Sequence, residues 1–462
     1  MGNPTTTDDL IRFIEASPSP YHAAGEATRR LVAAGFTQSP WGAPFPAEGP
    51  VVVRHEGFVA AWCRRGQAAD APLRIVGAHT DSPNLRVRPQ PDRSVAGWQQ
   101  LGVEVYGGAL LNSWLDRDLG LSGRVAIAQP VATDDPASDH PTSREGIAMR
   151  EVRWDEPLLR VPQLAIHLDR EIHTDGLKLN AQQHLTPVWG IAHGGGAPAP
   201  TSVGAAADGA GFKGWLAEEL EVDPSLILAW DLMTHDLTPP ALLGRRRELL
   251  AAPRLDNLCS AWAGVTAMVQ AASSPAASDA ATVPMLILAD HEEVGSTSGV
   301  GAASAAIVRL VEAVILSADE GAAATPGGPA VGAAMAGTVI ASADMAHATH
   351  PNYVDRHEPG HHIAPGAGPA LKVNSNQRYA SDARTAALLQ RAAARAGVNL
   401  QTYSHRGDLP CGSTIGPTLA ASLGVGVVDV GAPQLSMHSA RELMAVDDIQ
   451  PLARLLASWL GC

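Results

Sequence analysis

The sequence predicts an α/β protein, a mostly parallel sheet with helices on both faces, interrupted by an inserted β-rich domain. Three observations predict it. From Asp256 onward short apolar runs at 283–288, 338–342 and 425–430 alternate with small-residue helical stretches, as buried parallel strands joined by helices do. Acidic and histidine residues fall directly after those runs, where the carboxyl ends of an open α/β sheet gather binding sites. Between 85 and 243 the texture changes to alternating stretches such as Val103-Glu104-Val105-Tyr106 separated by polar loops, which reads as an insertion of strands. The domains expected are therefore 1–84 and 244–462, the two parts of one α/β domain, with 85–243 inserted.

At the N-terminus Thr7-Asp8-Asp9 forms a helix cap before Leu10, Ile11, Phe13 and Ile14, and Pro18 and Pro20 end that helix. A second helical pattern covers 23–34. Leu73, Ile75 and Val76 then form a short buried strand that runs into Gly77-Ala78-His79-Thr80-Asp81-Ser82-Pro83. Inside the insertion the alternation Leu164-Ala165-Ile166-His167-Leu168 reads as a strand, which makes His167 a sheet residue. The polar or small-residue stretches 133–146, 193–211, 271–282 and 321–337 read as surface loops. No internal repeat is apparent.

With 462 residues, 45% of them hydrophobic, the chain can bury a substantial core. Its formal charge of −14 and the lack of a Lys/Arg run longer than Arg245-Arg246-Arg247 argue against nucleic acid or an anionic membrane as partner. Cys63, Cys259, Cys411 and Cys462 lie far apart without a Cys-x-x-Cys pair, the usage of reduced thiols in a cytoplasmic protein. No signal-peptide pattern opens the chain and no apolar stretch is long enough to span a bilayer. Met1-Gly2-Asn3-Pro4-Thr5-Thr6 fits the loose myristoylation pattern, a match short enough to arise by chance, and Cys462 lacks the three following residues that prenylation needs.

Asp290-His291-Glu292-Glu293-Val294-Gly295 sets two adjacent carboxylates behind the 283–288 run. Like charges in a partly dry site repel, so the pair needs cations or separate tasks. A metal centre satisfies both conditions: one Glu ligates while the other takes a proton as base. His79, Asp256, Asp344 and His438 occur in comparable settings after apolar runs or ahead of a helix, and Asp81 stands at the spacing at which a carboxylate orients a ligating imidazole. Metal ligands are then His79, Asp256, Glu293, Asp344 and His438, with Glu292 left as base. Two divalent cations would be neutralised by the three carboxylates and a bridging hydroxide. Asp256 would span both ions, His79 and Asp344 completing one and Glu293 and His438 the other, the ions roughly 3.5–4 Å apart.

The ordered motifs His-Thr-Asp-Ser-Pro (79–83), Arg-Leu-Asp-Asn (254–257), Glu-Glu-Val-Gly-Ser (292–296), Ser-Ala-Asp-Met-Ala-His (342–347), Pro-Cys-Gly-Ser-Thr-Ile-Gly-Pro (410–417) and Met-His-Ser (437–439) closely resemble the aspartyl aminopeptidases, peptidase family M18. The resemblance implies a zinc exopeptidase fold carrying two Zn2+ and releasing N-terminal Asp or Glu from peptides. It also implies that the insertion is a dimerisation domain and that the chain assembles into a homododecamer. Manganese or cobalt would suit the same ligands. No departure falls on His79, Asp81, Asp256, Glu292, Glu293, Asp344 or His438.

Substrate choice needs a local cation, because an acidic protein repels acidic peptides at long range. On composition alone Lys372 and Arg378 are surface charges. The resemblance assigns Lys372 to the pocket for the acidic side chain and Tyr379 to the scissile carbonyl, and leaves the role of Arg378 open. For His167 a satisfied sheet histidine and, as the resemblance implies, completion of a neighbouring subunit's active site both stand open. The Gly-x-x-x-Gly turns at 295–299 and 412–416 lack the serine of a nucleophile elbow. Gly299-Val300-Gly301 lacks the third glycine of a dinucleotide loop. The histidines between 347 and 362 read as loop residues, and Cys411 as a small apolar turn residue. Competing readings are a general aminopeptidase or amide deacylase with the same two metals, and a catalytically silent assembly or cargo protein. The intact ligand set speaks against the last.

Overall fold

Successive residues of the Leu73–His79 strand feed two different cores. Val76 and Ala78 pack with one cluster and Leu73 and Ile75 with another, and Leu286 and Leu288 against Met285 and Ile287 divide the same way one strand over. Side chains two apart share a face of a sheet, so apolar residues at every position mean a sheet covered on both sides. A computed structural model describes residues 6–129, 146–192, 202–203, 211–274, 281–318 and 326–462 and has this architecture. The chain divides into a first unit, Met1–Ser82, Pro240–Met437 and Glu442–Cys462, and a second, Pro83–Pro239 with His438–Arg441.

The first unit is built on a nine-stranded sheet. Its spatial order is Thr37–Ser39, Gly49–His55, Phe58–Arg64, Val283–Ala289, Leu73–His79, Val339–Ala343, Gly426–Gly431, Ala370–Val373 and Gln401–Ser404. The central four, from Val283–Ala289 to Gly426–Gly431, run parallel. Helices Thr6–Glu15, Pro20–Ala33, Leu255–Ser273, Ala383–Ala396 and Ile449–Leu460 contribute to the core on one face; Ala305–Leu316, Pro329–Gly337 and Ile415–Leu423 cover the other. Each Leu, Ile, Val or Phe fully buried between sheet and helix contributes roughly 1.5–3 kcal/mol. A small five-stranded sheet in the same unit carries Leu249–Ala252, Glu442–Ala445 and Pro433–Leu435 as neighbours.

In the second unit six strands close on themselves. Asn84–Val95 pairs with both Ile227–Asp236 and Trp98–Tyr106, and Asp118–Ala128, Ile147–Arg160 and Val188–Ile191 complete the circuit. Phe212 and Leu216 of the Gly211–Leu220 helix join Leu85, Leu101, Leu121 and Leu232 in its core. Closure removes the unpaired edges that an open sheet presents.

The α/β fold with a β-rich insertion is as expected, and several elements differ in detail. Residues 164–168 form no strand. Leu168 N–H donates to Ala165 O at 2.8 Å in a turn, and Leu164, Ile166, His167 and Leu168 are exposed. The alternating pattern there has no facing strand to bury it, so a sheet role for His167 is excluded. Pro329–Gly337, expected as loop, is a helix that buries Val331 and Ala334; alanine-rich sequence with Pro at the first turn favours it. Likewise 271–273 are the last turn of the Leu255–Ser273 helix. The stretches 133–145, 193–201, 204–210, 275–280 and 321–325 lie outside the described residues. Pro20, expected only to stop a helix, opens the second one behind Ser19, whose hydroxyl accepts His22 N–H. Ala241–Leu243 pairs with Leu249–Ala252 and so belongs to the first unit.

Candidate metal centre

Three adjacent parallel strands deliver the site from their carboxyl ends. His79 is the last residue of its strand and pairs with Ala289; Glu292 and Glu293 follow in a single 3-10 turn; Asp344 follows Val339–Ala343. Asp256 stands at the opening of the Leu255–Ser273 helix, across a cis Asp256–Asn257 peptide. His79 Nε2 lies 3.5 Å from Asp256 Oδ1, 3.6 Å from Asp344 Oδ1 and 4.0 Å from Glu292 Oε2. His79, Asp256 and Glu293 each offer a ligand atom within 4.8 Å of the other two. Donors roughly 2.1 Å from a tetrahedral zinc lie roughly 3.4 Å apart, so the donor set and its spacing fit that ion.

Hydrogen bonds set the orientation of these groups. His79 Nδ1 faces the main-chain oxygen of Asp81 at 3.0 Å and its carboxylate at 3.4 Å, which leaves Nε2 as the nitrogen turned toward the carboxylates. The Asp81 side chain does more than orient the ring: it accepts the N–H groups of Glu292 and Glu293, each at 3.1 Å, and so fixes the glutamate pair. Gly431 lies against Asp344, where any Cβ would overlap the Asp344 carbonyl.

Five carboxyl groups (Asp81, Asp256, Glu292, Glu293, Asp344) meet one ammonium, Lys372, in this network. Burial works against a charged His79 ring, yet Asp256, Asp344 and Asp81 outweigh it and hold its pKa well above the usual range. Burial likewise pushes the Glu292 carboxyl up to about 8, with Asp344, Asp81 and Asp256 adding to the shift against the pull of His79.

Lys372 is not a surface charge. At 2% exposure its ammonium donates to the carbonyls of Asp344 (2.9 Å) and Met345 (3.1 Å), lies 3.5 Å from Asp344 Oδ2 and sits 4.9 Å over the Tyr379 ring. Burial, and then Cys411, push the Tyr379 hydroxyl far up, so it stays a neutral donor. Arg378, beside it, is exposed. His438 and His167 belong to the second unit. There His438 Nδ1 faces Gly108 O at 3.1 Å, which favours the tautomer with the lone pair on Nε2. Sequence reasoning missed Ser82, whose hydroxyl donates to Asp256 O at 2.7 Å, Asn257, which reaches Ala343 O at 2.9 Å, and Glu442, which accepts Asp256 N–H at 2.9 Å. Ser82 and Asn257 sit inside the motifs already noted.

A family model described as aminopeptidase I zinc metalloprotease (M18) matches residues 13–459. The chain belongs to the M18 aminopeptidase family. It is 45% identical over 460 residues to a probable M18 family aminopeptidase 2 of Streptomyces coelicolor, with 98% of this chain and 97% of that relative covered. Among solved structures it resembles Ape4, determined by cryo-EM in complex with Nbr1, at 30% identity and TM-score 0.85, covering 98% of this chain and 85% of that one. It also shares its fold with the mApe1 dodecamer of S. cerevisiae at 22% identity and TM-score 0.80, covering 98% and 97%. As an M18 member the chain is a zinc metallo-aminopeptidase, and the donors around His79 are those that fit zinc. Among the described residues no helix is long and apolar enough to cross a membrane.

Proposed function

We propose that this M18 member is a two-zinc aminopeptidase that releases N-terminal Asp or Glu. The observation that carries the two-metal part is the convergence of the carboxylates of Asp256, Glu293 and Asp344 on His79, more negative charge than one divalent cation would offset. Asp256 would hold both ions, His79 and Asp344 one, Glu293 and His438 the other. The chemistry that bound zinc supplies is Lewis-acid polarisation of the scissile carbonyl.

The chain's own residues do the rest. Glu292, with its carboxyl pushed toward neutral pH, takes a proton from the attacking water and passes it to the departing amine. Asp81 keeps that carboxyl in place through the main chain. The neutral Tyr379 hydroxyl donates to the carbonyl oxygen as charge builds there. Lys372 supports acid selectivity: two of its three donors are held by carbonyls, and the third, on the long 3.5 Å contact with Asp344, can turn to a substrate carboxylate. The exposed His167 turn supports a contact with a neighbouring subunit, and the dodecameric mApe1 neighbour supports a homo-oligomer.

Metal analysis together with hydrolysis of Asp-, Glu- and Leu-linked chromogenic amides tests the reading. Two zinc equivalents per chain and preference for the acidic amides are expected. One equivalent would sink the two-metal part, and preference for Leu would make the enzyme a general aminopeptidase. Lys372→Met should lower the ratio of kcat/KM for Asp over Leu amides by about a hundredfold or more, since stranding a buried carboxylate costs roughly 2–5 kcal/mol. An unchanged ratio would move the selectivity to Arg378.

A further inference from the structure

The Gly426–Gly431 strand carries one ionisable side chain, Asp429, which is 0% exposed among Val427, Val428 and Val430. Burying such a group is costly unless its oxygens are hydrogen-bonded. Three bonds leave the strand for two loops. Oδ2 accepts the Ala380 N–H at 2.6 Å, Oδ1 accepts the Thr414 hydroxyl at 2.6 Å, and the Asp429 N–H donates to Ser381 Oγ at 2.9 Å. Gly416 leaves the space for this, since a Cβ there would stand 2.6 Å from both carboxyl oxygens. On the neighbouring strands the register partners of Asp429 are Ser342 and Lys372.

The partners give the position its meaning. Residues 374–382, between the Ala370–Val373 strand and the Ala383–Ala396 helix, form neither strand nor helix, so no ladder fixes Tyr379. The two residues that follow it, Ala380 and Ser381, are both fastened to Asp429. Thr414 caps the Ile415–Leu423 helix, accepting Gly416 N–H at 3.2 Å, and the turn before it carries Cys411, packed on the cluster that contains Tyr379. One carboxyl thus joins the main chain of the Tyr379 segment to the turn that packs over it. Burial pushes that carboxyl above its ordinary range against the pull of Lys372, and the bonds hold in either form. A carboxylate accepts from both donors, whereas a protonated acid accepts the Ala380 N–H and gives its proton to Thr414 Oγ1.

We propose that Asp429 is the positioning residue for Tyr379: by fixing Ala380 and Ser381 to the sheet and Thr414 beside them, it sets the phenol where it donates to the scissile carbonyl. This rests on the reading that Tyr379 acts there. Lys372 is held separately, by the carbonyls of Asp344 and Met345, so Asp429 governs turnover and leaves acid selectivity alone. Tyr379 serves a carbonyl that every peptide has. Its misplacement therefore slows acidic and neutral substrates alike, and a shift of about 1 Å in a reacting group is worth about a hundredfold in rate.

The experiment is a double-mutant cycle on the zinc-loaded enzyme, Asp429→Ala and Tyr379→Phe alone and together. Asp- and Leu-linked chromogenic amides give kcat and KM, and zinc content and Tm are measured on the same samples. Tyr379→Phe should lower kcat by roughly 10²–10³-fold, as loss of an oxyanion donor does. Asp429→Ala should lower it by roughly 10- to 100-fold, with KM, zinc content and the Asp-to-Leu ratio unchanged. Together they should cost no more than Tyr379→Phe alone, because a residue that acts through the phenol has nothing left to act on once the phenol is gone. Asp429→Asn, which keeps an oxygen for the Ala380 N–H and an amide for Thr414 Oγ1, should restore most of the turnover. Additive losses in the double variant would overturn the proposal, as would an Asn variant no better than Ala or a fallen Asp-to-Leu ratio at unaltered kcat. Normal turnover in Tyr379→Phe would instead sink the role of Tyr379 and the proposal with it. Should Asp429→Ala not fold, Thr414→Val takes its place in the cycle: it removes one of the two donors that hold the carboxyl and should lower kcat only where Tyr379 is present, an equal fall in the Tyr379→Phe background being the overturning result.

Discussion

Glu292 stands 4.0 Å from His79 Nε2, held through its backbone by Asp81 and outside the three converging donors His79, Asp256 and Glu293. Glu292→Gln should therefore keep its zinc and lose roughly 10²–10⁴-fold in kcat, the usual worth of a general base; metal-replete protein with near-normal turnover would refute the assignment. The protonation of the metal-free site gives a second test. His79 and Glu292 both have folded-state pKa values above their ordinary ones, so the folded metal-free protein binds more protons than the unfolded chain, and its stability falls as pH rises from the ordinary carboxyl range through about 8. Zinc needs a neutral imidazole and ionised carboxylates, so its binding expels those protons. Calorimetry near pH 7 in buffers of different ionisation enthalpy should register net proton release, and unfolding scans of metal-free protein should show stability declining between about pH 5 and 8. Proton uptake, or stability rising over that interval, would contradict the arrangement. His79, Glu292, Glu293 and Asp344 were legible in the sequence because they follow apolar runs within a few positions, and Asp256 because it stands ahead of a helical stretch. Glu442 was not, since it meets Asp256 across 186 residues through a strand pairing that no local pattern announces.

Among the elements, the Gly426–Gly431 strand has the tightest tolerance. Asp344 N–H donates to Val430 O at 2.9 Å, and the next residue, Gly431, has no room for a Cβ beside the Asp344 carbonyl. Gly431→Ala should cost about 1–3 kcal/mol as overpacking and displace Asp344; a variant with unaltered Tm and zinc content would show that the strand can yield. The central parallel strands were readable because both faces are buried and their apolar runs are unbroken. Elements failed where the signal was ambiguous. The alternation at 164–168 had no partner strand, and the alanine-rich 329–337 carries helix propensity that a low-complexity reading discards. Closure of the second unit's strands depends on the Asn84–Val95 and Trp98–Tyr106 pairing register, which spacing does not encode.

At the scale of the whole molecule, the exposed apolar residues Leu164, Ile166 and Leu168 flank His167 on one segment of the second unit. If that segment meets another subunit, light scattering should report a species several times the 48.0 kDa chain mass; a fully active monomer at assay concentration would refute both the assembly and a trans role for His167. The second unit has a further property. Its residues are not contiguous: Ala440 packs in its core, Ala440 N–H donates to Ser113 Oγ at 2.8 Å, and the Arg441 guanidinium reaches the carbonyls of Thr238 and Pro239 at 3.0 and 2.8 Å. A chain emerging from the ribosome in N-to-C order thus makes the strands between 84 and 236 long before residues 438–441, which finish their packing. Until then the nascent strands wait without Ala440 in their core, so synthesis of 438–441, and any truncation ahead of them, governs whether the β-rich unit completes its packing as well as whether His438 is present.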